Sequence, residues 1–129
     1  ITQHDSRSIS RDDCVEIFFD VNHDSNTFHH IIINSLVVYQ DKIRDPQAGC
    51  GDLSWEGVSA AATHVSATFW TAGLELPFSS FPKQKIKPGT IWGFNVARVR
   101  IGNAGEYGQW VPTYGSSHRP ERFGFLIFN

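Results

Sequence analysis

Methionine is absent from this chain of 129 residues, and cysteine occurs only twice, at Cys14 and Cys50. Two thiols allow one bridge at most, and they share no C-x-x-C spacing, which removes the paired-thiol pattern of zinc ribbons and thiol redox centres. Cys14 falls inside a strand pattern and suits a small buried hydrophobe, whereas Cys50 stands in the turn-like AGCGD; pairing between them is left open. Long apolar runs are also missing. The longest, IIINSLVVY, is broken by Asn34 and Ser35 and falls far short of the ~18 residues that cross a bilayer. Charge of one sign never collects: eleven Lys and Arg stand against thirteen Asp and Glu, for a formal charge of -2, and the signs alternate along the chain. Without a basic stripe there is no surface to neutralise phosphates, so no nucleic-acid partner is expected. No stretch carries i, i+3, i+4 periodicity, and there is neither a repeat nor a low-complexity tract.

What is present is alternation with period two, interrupted by turn residues. CVEIFFD, Cys14 to Asp20, places Val15, Ile17 and Phe19 on one face and Cys14, Glu16 and Phe18 on the other, the pattern of a central strand. Its one charged member before the end, Glu16, needs a partner or a wet groove. The polar turn DVNHDSN leads to a second strand in TFHHIIIN, giving a hairpin. SLVVYQDK continues as a strand, and residues 43–57 are irregular. Two more strands lie in VSAAATHVSATFWTAGLELPF, closed by Pro77, and the longest strand is TIWGFNVARVRI. A Gly-rich loop, QWVPTY and the terminal strand FGFLIF complete the chain. The fold class is an all-β antiparallel sandwich, jelly-roll-like, with little or no helix, and with inward faces expected from Val15, Ile17, Phe19, Phe69, Trp92, Phe94, Val96 and Phe125. Residues 1–13 read as a polar arm, and residues 14–129 as one domain, large enough to bury roughly two-thirds of its unfolded surface.

Asp20, Asn22, Asp24 and Asn26 alternate along the DVNHDSN turn, a spacing that can aim several oxygens at calcium. The mid-loop Gly and the distal Glu of an EF-hand are lacking, so an ordinary Asx turn is the competing reading. His29 and His30 are adjacent on a strand and leave opposite faces, so they cannot chelate one metal together.

Four segments, DDCVEIFFDVNHDSNTFHHIIIN, TFWTAGLELPFSSF, KPGTIWGFNVARV and WVPTYGSSHRPERFGFLIF, resemble in order the family 9 carbohydrate-binding modules and the related sugar- and haem-binding sandwiches. The family's domain opens with further strands, so the resemblance implies that the chain is the C-terminal part of a larger domain or protein, secreted, periplasmic or at the cell surface. The resemblance implies a poly- or oligosaccharide ligand bound by a non-catalytic module, with calcium as a structural partner of the family. The two tryptophans that clamp a sugar in the family correspond to Ser10 and Ser117, and the family's amide to Ala97, which implies weak binding. The polar set carried over is Glu16 and Asn34, with His118 and Trp110 adjoining it and Trp55 placed apart from it on a different loop. Arg98, on a strand that matches a family signature, joins this set or pairs with Glu16; Asn34 also suits a turn cap. Three other functions compete. A structural or adhesive domain would have lost its sugar site. A haem domain would need axial ligands other than Met, and a glycosidase would need Glu16 paired with Asp12 or Asp13.

Overall fold

The computed structural model of the chain describes every residue except Cys50 and Asn103. Among the described residues there are eight strands: β1 (Cys14–Asp20), β2 (Phe28–Asn34), β3 (Tyr39–Arg44), β4 (Ala60–Val65), β5 (Trp70–Glu75), β6 (Ile91–Arg100), β7 (Glu106–Gln109) and β8 (Gly124–Ile127). Three 3₁₀ turns of three residues each are the helical segments among the described residues. Every strand pairing is antiparallel, in two sheets: six strands in the order β3-β2-β1-β6-β7 with β8 also on β6, and the β4-β5 hairpin. β7 meets Ala97–Arg100 and β8 meets Ile91–Phe94, so the long β6 serves two short strands along one edge. The expected all-β sandwich is the observed class. Cys14 is buried against Ile9, Ile32 and Val38, and its pairing with Cys50 lies outside the described residues.

β1 sits in the middle of the large sheet, and its register sets both faces. Glu16 lies opposite Ile32 and Ala97, and Phe18 opposite His30 and Asn95. Cys14, Glu16, Phe18 and Asp20 therefore share one face with Phe28, His30 and Asn34 of β2. This face is closed by Ile9 from the arm and by Phe123, which joins Phe18, Phe28 and Ala97 in a buried cluster. The arm, read from sequence as merely polar, is thus anchored by Ile9; it also runs beside β3, where Asp5 N–H donates to Tyr39 O.

The opposite face carries Val15, Ile17 and Phe19, and these are only half-buried. Its cover is thinner: Phe81, Trp55, Leu76 and Ile86 pack on Trp92 at one end, and the β4-β5 hairpin lies over the other. Trp92 is 3% exposed, as expected, but Phe69 and Phe125 are 60% and 63% exposed and do not belong to the core. Both faces of β1 are apolar in sequence. Alternation alone could not say which is sealed, and the sealed one is that of Phe18.

Phe18→Ala is expected to cost about 3–5 kcal/mol, the range for emptying a well-packed aromatic site. Phe125→Ala should stay within about 0.5 kcal/mol, as at an exposed position. Urea denaturation of the two variants checks this, and equal losses would contradict the packing described.

Candidate functional site

Two arrangements of side chains stand out, one on each face of β2, because the neighbours His29 and His30 leave that strand in opposite directions. His29 points to the half-covered face and meets the edge of Trp55, with ring centroids 4.4 Å apart at 69°. Trp55 is placed by the loop that follows β3. Asp41 of β3, itself buried, accepts the N–H groups of Gly57 at 2.6 Å and Val58 at 3.0 Å, and the Trp55 indole N–H donates to Ser80 O. Gly57 admits the indole: a Cβ there would lie 2.1 Å from the Trp55 ring, which leaves no room for one. The result is a cleft of about 320 Å³ walled by Trp55, Phe81 and His29 and rimmed by Asn22, Asp45 and Lys83. Its size falls at the lower end of the roughly 300–1,000 Å³ of small-molecule clefts.

His30 points the other way, onto the sealed face. Its ring stacks on Phe18 at 4.4 Å and 14°, and its Nε2 is hydrogen-bonded to Glu16 Oε2 at 2.8 Å. His118, from the loop after β7, stands perpendicular to His30 at 4.9 Å, packed against Phe18 and Phe28 on one side and open to solvent on the other. Burial holds His30 well below the usual imidazole pKa, and it takes His118 to about 4, with the neighbouring His30 adding to the effect. Glu16 is pushed up by burial, against the pull of His118 and Lys42. Burial therefore disfavours the charged form of both partners in this hydrogen bond.

The residues expected from sequence to line one sugar groove separate in space. Glu16 and His118 do come together. Asn34 lies on the same face but is spent on the chain itself: its Nδ2 donates to Ile1 O and Asp12 Oδ2, and its Oδ1 accepts from Leu36 and Val38 N–H, the turn-cap role. Arg98 lies opposite Val15, one register position from Glu16 and so on the other face, where it pairs with Glu106 at 3.0 Å. A Glu16–Arg98 bridge is excluded by that alternation. Trp110 also faces away from Glu16, resting 5.8 Å from Phe94 and 58% exposed. Ser117, at the position of a clamping tryptophan, is buried.

In the turn at 20–26, protein donors already occupy the carboxylate oxygens expected to face calcium. Asp20 is buried, Gly93 leaving room for it, and it accepts from Asp24 and Ser25 N–H; Asp24 accepts from Asn26 and Thr27 N–H and from Thr27 Oγ1. Asn22 is shared between Thr27 and Gln84, and Asn26 is exposed. These are hydrogen bonds of the Asx-turn kind, made within the turn itself.

Trp55, Phe81 and His29 were not singled out as a site. The available signal was Trp55 itself, an aromatic residue in an irregular segment.

No protein-family model matches the chain, and no curated protein matches it significantly. Among solved structures, the fold is similar to the crystal structure of a "putative carbohydrate-binding protein" from Bacteroides uniformis ATCC 8492, with a TM-score of 0.75 and 16% identity. The match covers 99% of this chain and 66% of that one. At such identity the likeness establishes the fold.

Stability should fall on acidification. His29, taken to about 4 by burial, behaves like His30 and His118: each binds its proton far less readily when folded than at its unfolded value near 6.5. Between those pH values the unfolded chain holds more protons, so stability is full above about pH 6.5 and is lost as pH drops toward 4. Glu16 and Asp20, both raised by burial, act with the opposite sign, but they are two groups against three. Urea midpoints should decrease from pH 7.5 to 5, and less steeply in His118→Ala. A flat profile in the parent would contradict the buried neutral imidazoles.

Proposed function

We propose that the chain is a non-catalytic carbohydrate-binding module, and that it holds a poly- or oligosaccharide in the cleft beside Trp55. The observation that carries this reading is the cleft's composition: an indole, a phenyl and an imidazole form its walls, with amide, carboxylate and ammonium groups at the rim. Sugars present an apolar C–H face and a polar edge, and both are matched here. Among the described residues Asp45 is the one carboxylate lining the cleft, whereas hydrolysis by general acid–base chemistry takes two flanking the bond. The resemblance to family 9 modules and the likeness to the Bacteroides uniformis fold support a sugar ligand. The site itself differs from the family's, whose clamp is replaced by Ser10 and Ser117 and whose carboxylate position, Glu16, is engaged by His30. The same reading makes the module an extracellular or surface domain carried on a larger protein.

With solvent-competed hydrogen bonds at the rim of an open aromatic cleft, affinity is expected in the high-micromolar to millimolar range, about -4 to -5 kcal/mol. An array of plant and algal glycans identifies the ligand, and calorimetry then measures it. Trp55→Ala should weaken binding at least ~10-fold, the effect of about 1.4 kcal/mol. Because Trp55 also packs on Phe81, the rim variant Lys83→Ala provides the companion: weaker binding with an unchanged melting temperature. Arg98→Ala and Trp110→Ala, on the far end and edge of the sheet, should bind as the parent does. Absence of any ligand on the array, or full binding by Trp55→Ala, would overturn the reading.

A further inference from the structure

We infer that Glu16, His30 and His118 form a binding site for a zinc-class transition-metal ion, on the face of the sheet opposite the Trp55 cleft. One potential ligand atom from each residue lies within 4.8 Å of the others, although the three come from β1, β2 and the loop after β7. Two imidazoles and one carboxylate are a recurrent three-residue set for zinc, with a fourth position left to solvent. Here that position opens on the exposed side of His118, while Glu16 and His30 are 5% and 1% exposed. The ligands are also held. Phe18 stacks on His30 and Phe28 packs on His118, so the rings have little freedom to lose on binding.

The role of Glu16 also differs from that of other buried polar side chains: Asp41 pins Gly57 and Val58 and Asn95 pins Val111, whereas Glu16 bonds within the sheet to His30. The present separation of Glu16 Oε2 and His30 Nε2, 2.8 Å, is that of a hydrogen bond. Tetrahedral ligands about 2.0–2.1 Å from a metal stand about 3.3 Å apart, so the pair must open by about half an ångström as the proton between them is displaced.

The choice of metal follows from the surroundings. Lys42 and Arg44 lie on the same face and oppose any added positive charge; Lys42 itself is lowered to about 8, by burial first and by Arg44 next. A calcium or magnesium ion, which depends on several oxygen ligands, has one carboxylate here and that repulsion. Zinc, which takes imidazole nitrogen readily, has two rings and a carboxylate within reach of one point here. Cys14 belongs to the same face two residues away, but it packs among Ile9, Ile32 and Val38, apart from the site.

The full chain, stripped with chelator and dialysed against zinc at pH 7.5, is expected to retain one tightly held equivalent by metal analysis, and to melt at a higher temperature with zinc than without. Cobalt(II) substituted for zinc should give the intense visible bands of a four-coordinate ion, without thiolate charge transfer. His118→Ala, at the solvent-facing ligand where folding is least at risk, should lose affinity on the order of a hundredfold. Glu16→Gln should lose it as well, and His64→Ala on exposed β4 should not. Zinc uptake that persists in His118→Ala, or a parent chain that retains none, would overturn the inference. The sugar reading is independent of this outcome, since glycan titration of His118→Ala is expected to match the parent.

Discussion

The placement of β1 between β2 and β6 is the constraint on which the rest of the structure depends. With hydrogen-bonded partners on both sides, each residue of Cys14–Asp20 is committed to one face or the other, and the commitment passes to the neighbours through register. His30 joins Glu16 and Phe18 under the cover of Phe123 and His118, and His29 joins Phe19 under that of Trp55 and Phe81. A slip of one residue would exchange the two faces of β2 and dissolve both the cleft and the histidine cluster.

Buried polar groups then position the loops. Asp41 receives two backbone N–H groups from the Trp55 loop, Asn95 bonds both N–H and C=O of Val111, and Asn34 closes the turn after β2. Leaving such a group unsatisfied costs about 1–3 kcal/mol, so each of these contacts selects one loop conformation strongly over others. The cleft is thereby built on the sheet: its aromatic wall is held by a strand carboxylate at one end and by the Ser80 carbonyl, through the indole N–H, at the other.

The local features were legible in the sequence. Alternation and turn residues marked β1 at its observed limits, the hairpin to β2 and the long β6, and Trp92 was correctly read as core. The opposite directions of His29 and His30 followed from strand geometry alone. Features that depend on distant partners were not legible. Val15 and Phe18 are equally apolar, and only the arm and the 110–123 loop decide which side is sealed. Glu16 and Arg98 look like an ion pair until the register Val15–Arg98 places them on opposite faces. The bond from Asp41 to Gly57 spans an irregular segment with no periodic signal, so the Trp55 cleft could not be read along the chain. Trp110 was read as adjoining the sugar groove and Trp55 as lying apart from it on another loop; the structure sets Trp110 on the Phe94 edge and makes Trp55 a wall of the cleft.

The central claim is that sugar is bound by the Trp55 face of the sheet. Its most direct test is a heteronuclear NMR titration of the isotopically labelled chain with an oligosaccharide from the array. The account predicts shifts concentrated on the Trp55 indole N–H and the backbone amides of residues 80–84, with those of His118 and Trp110 unmoved. Shifts centred on residues 110–118 and Glu16, with the Trp55 indole unmoved, would contradict it.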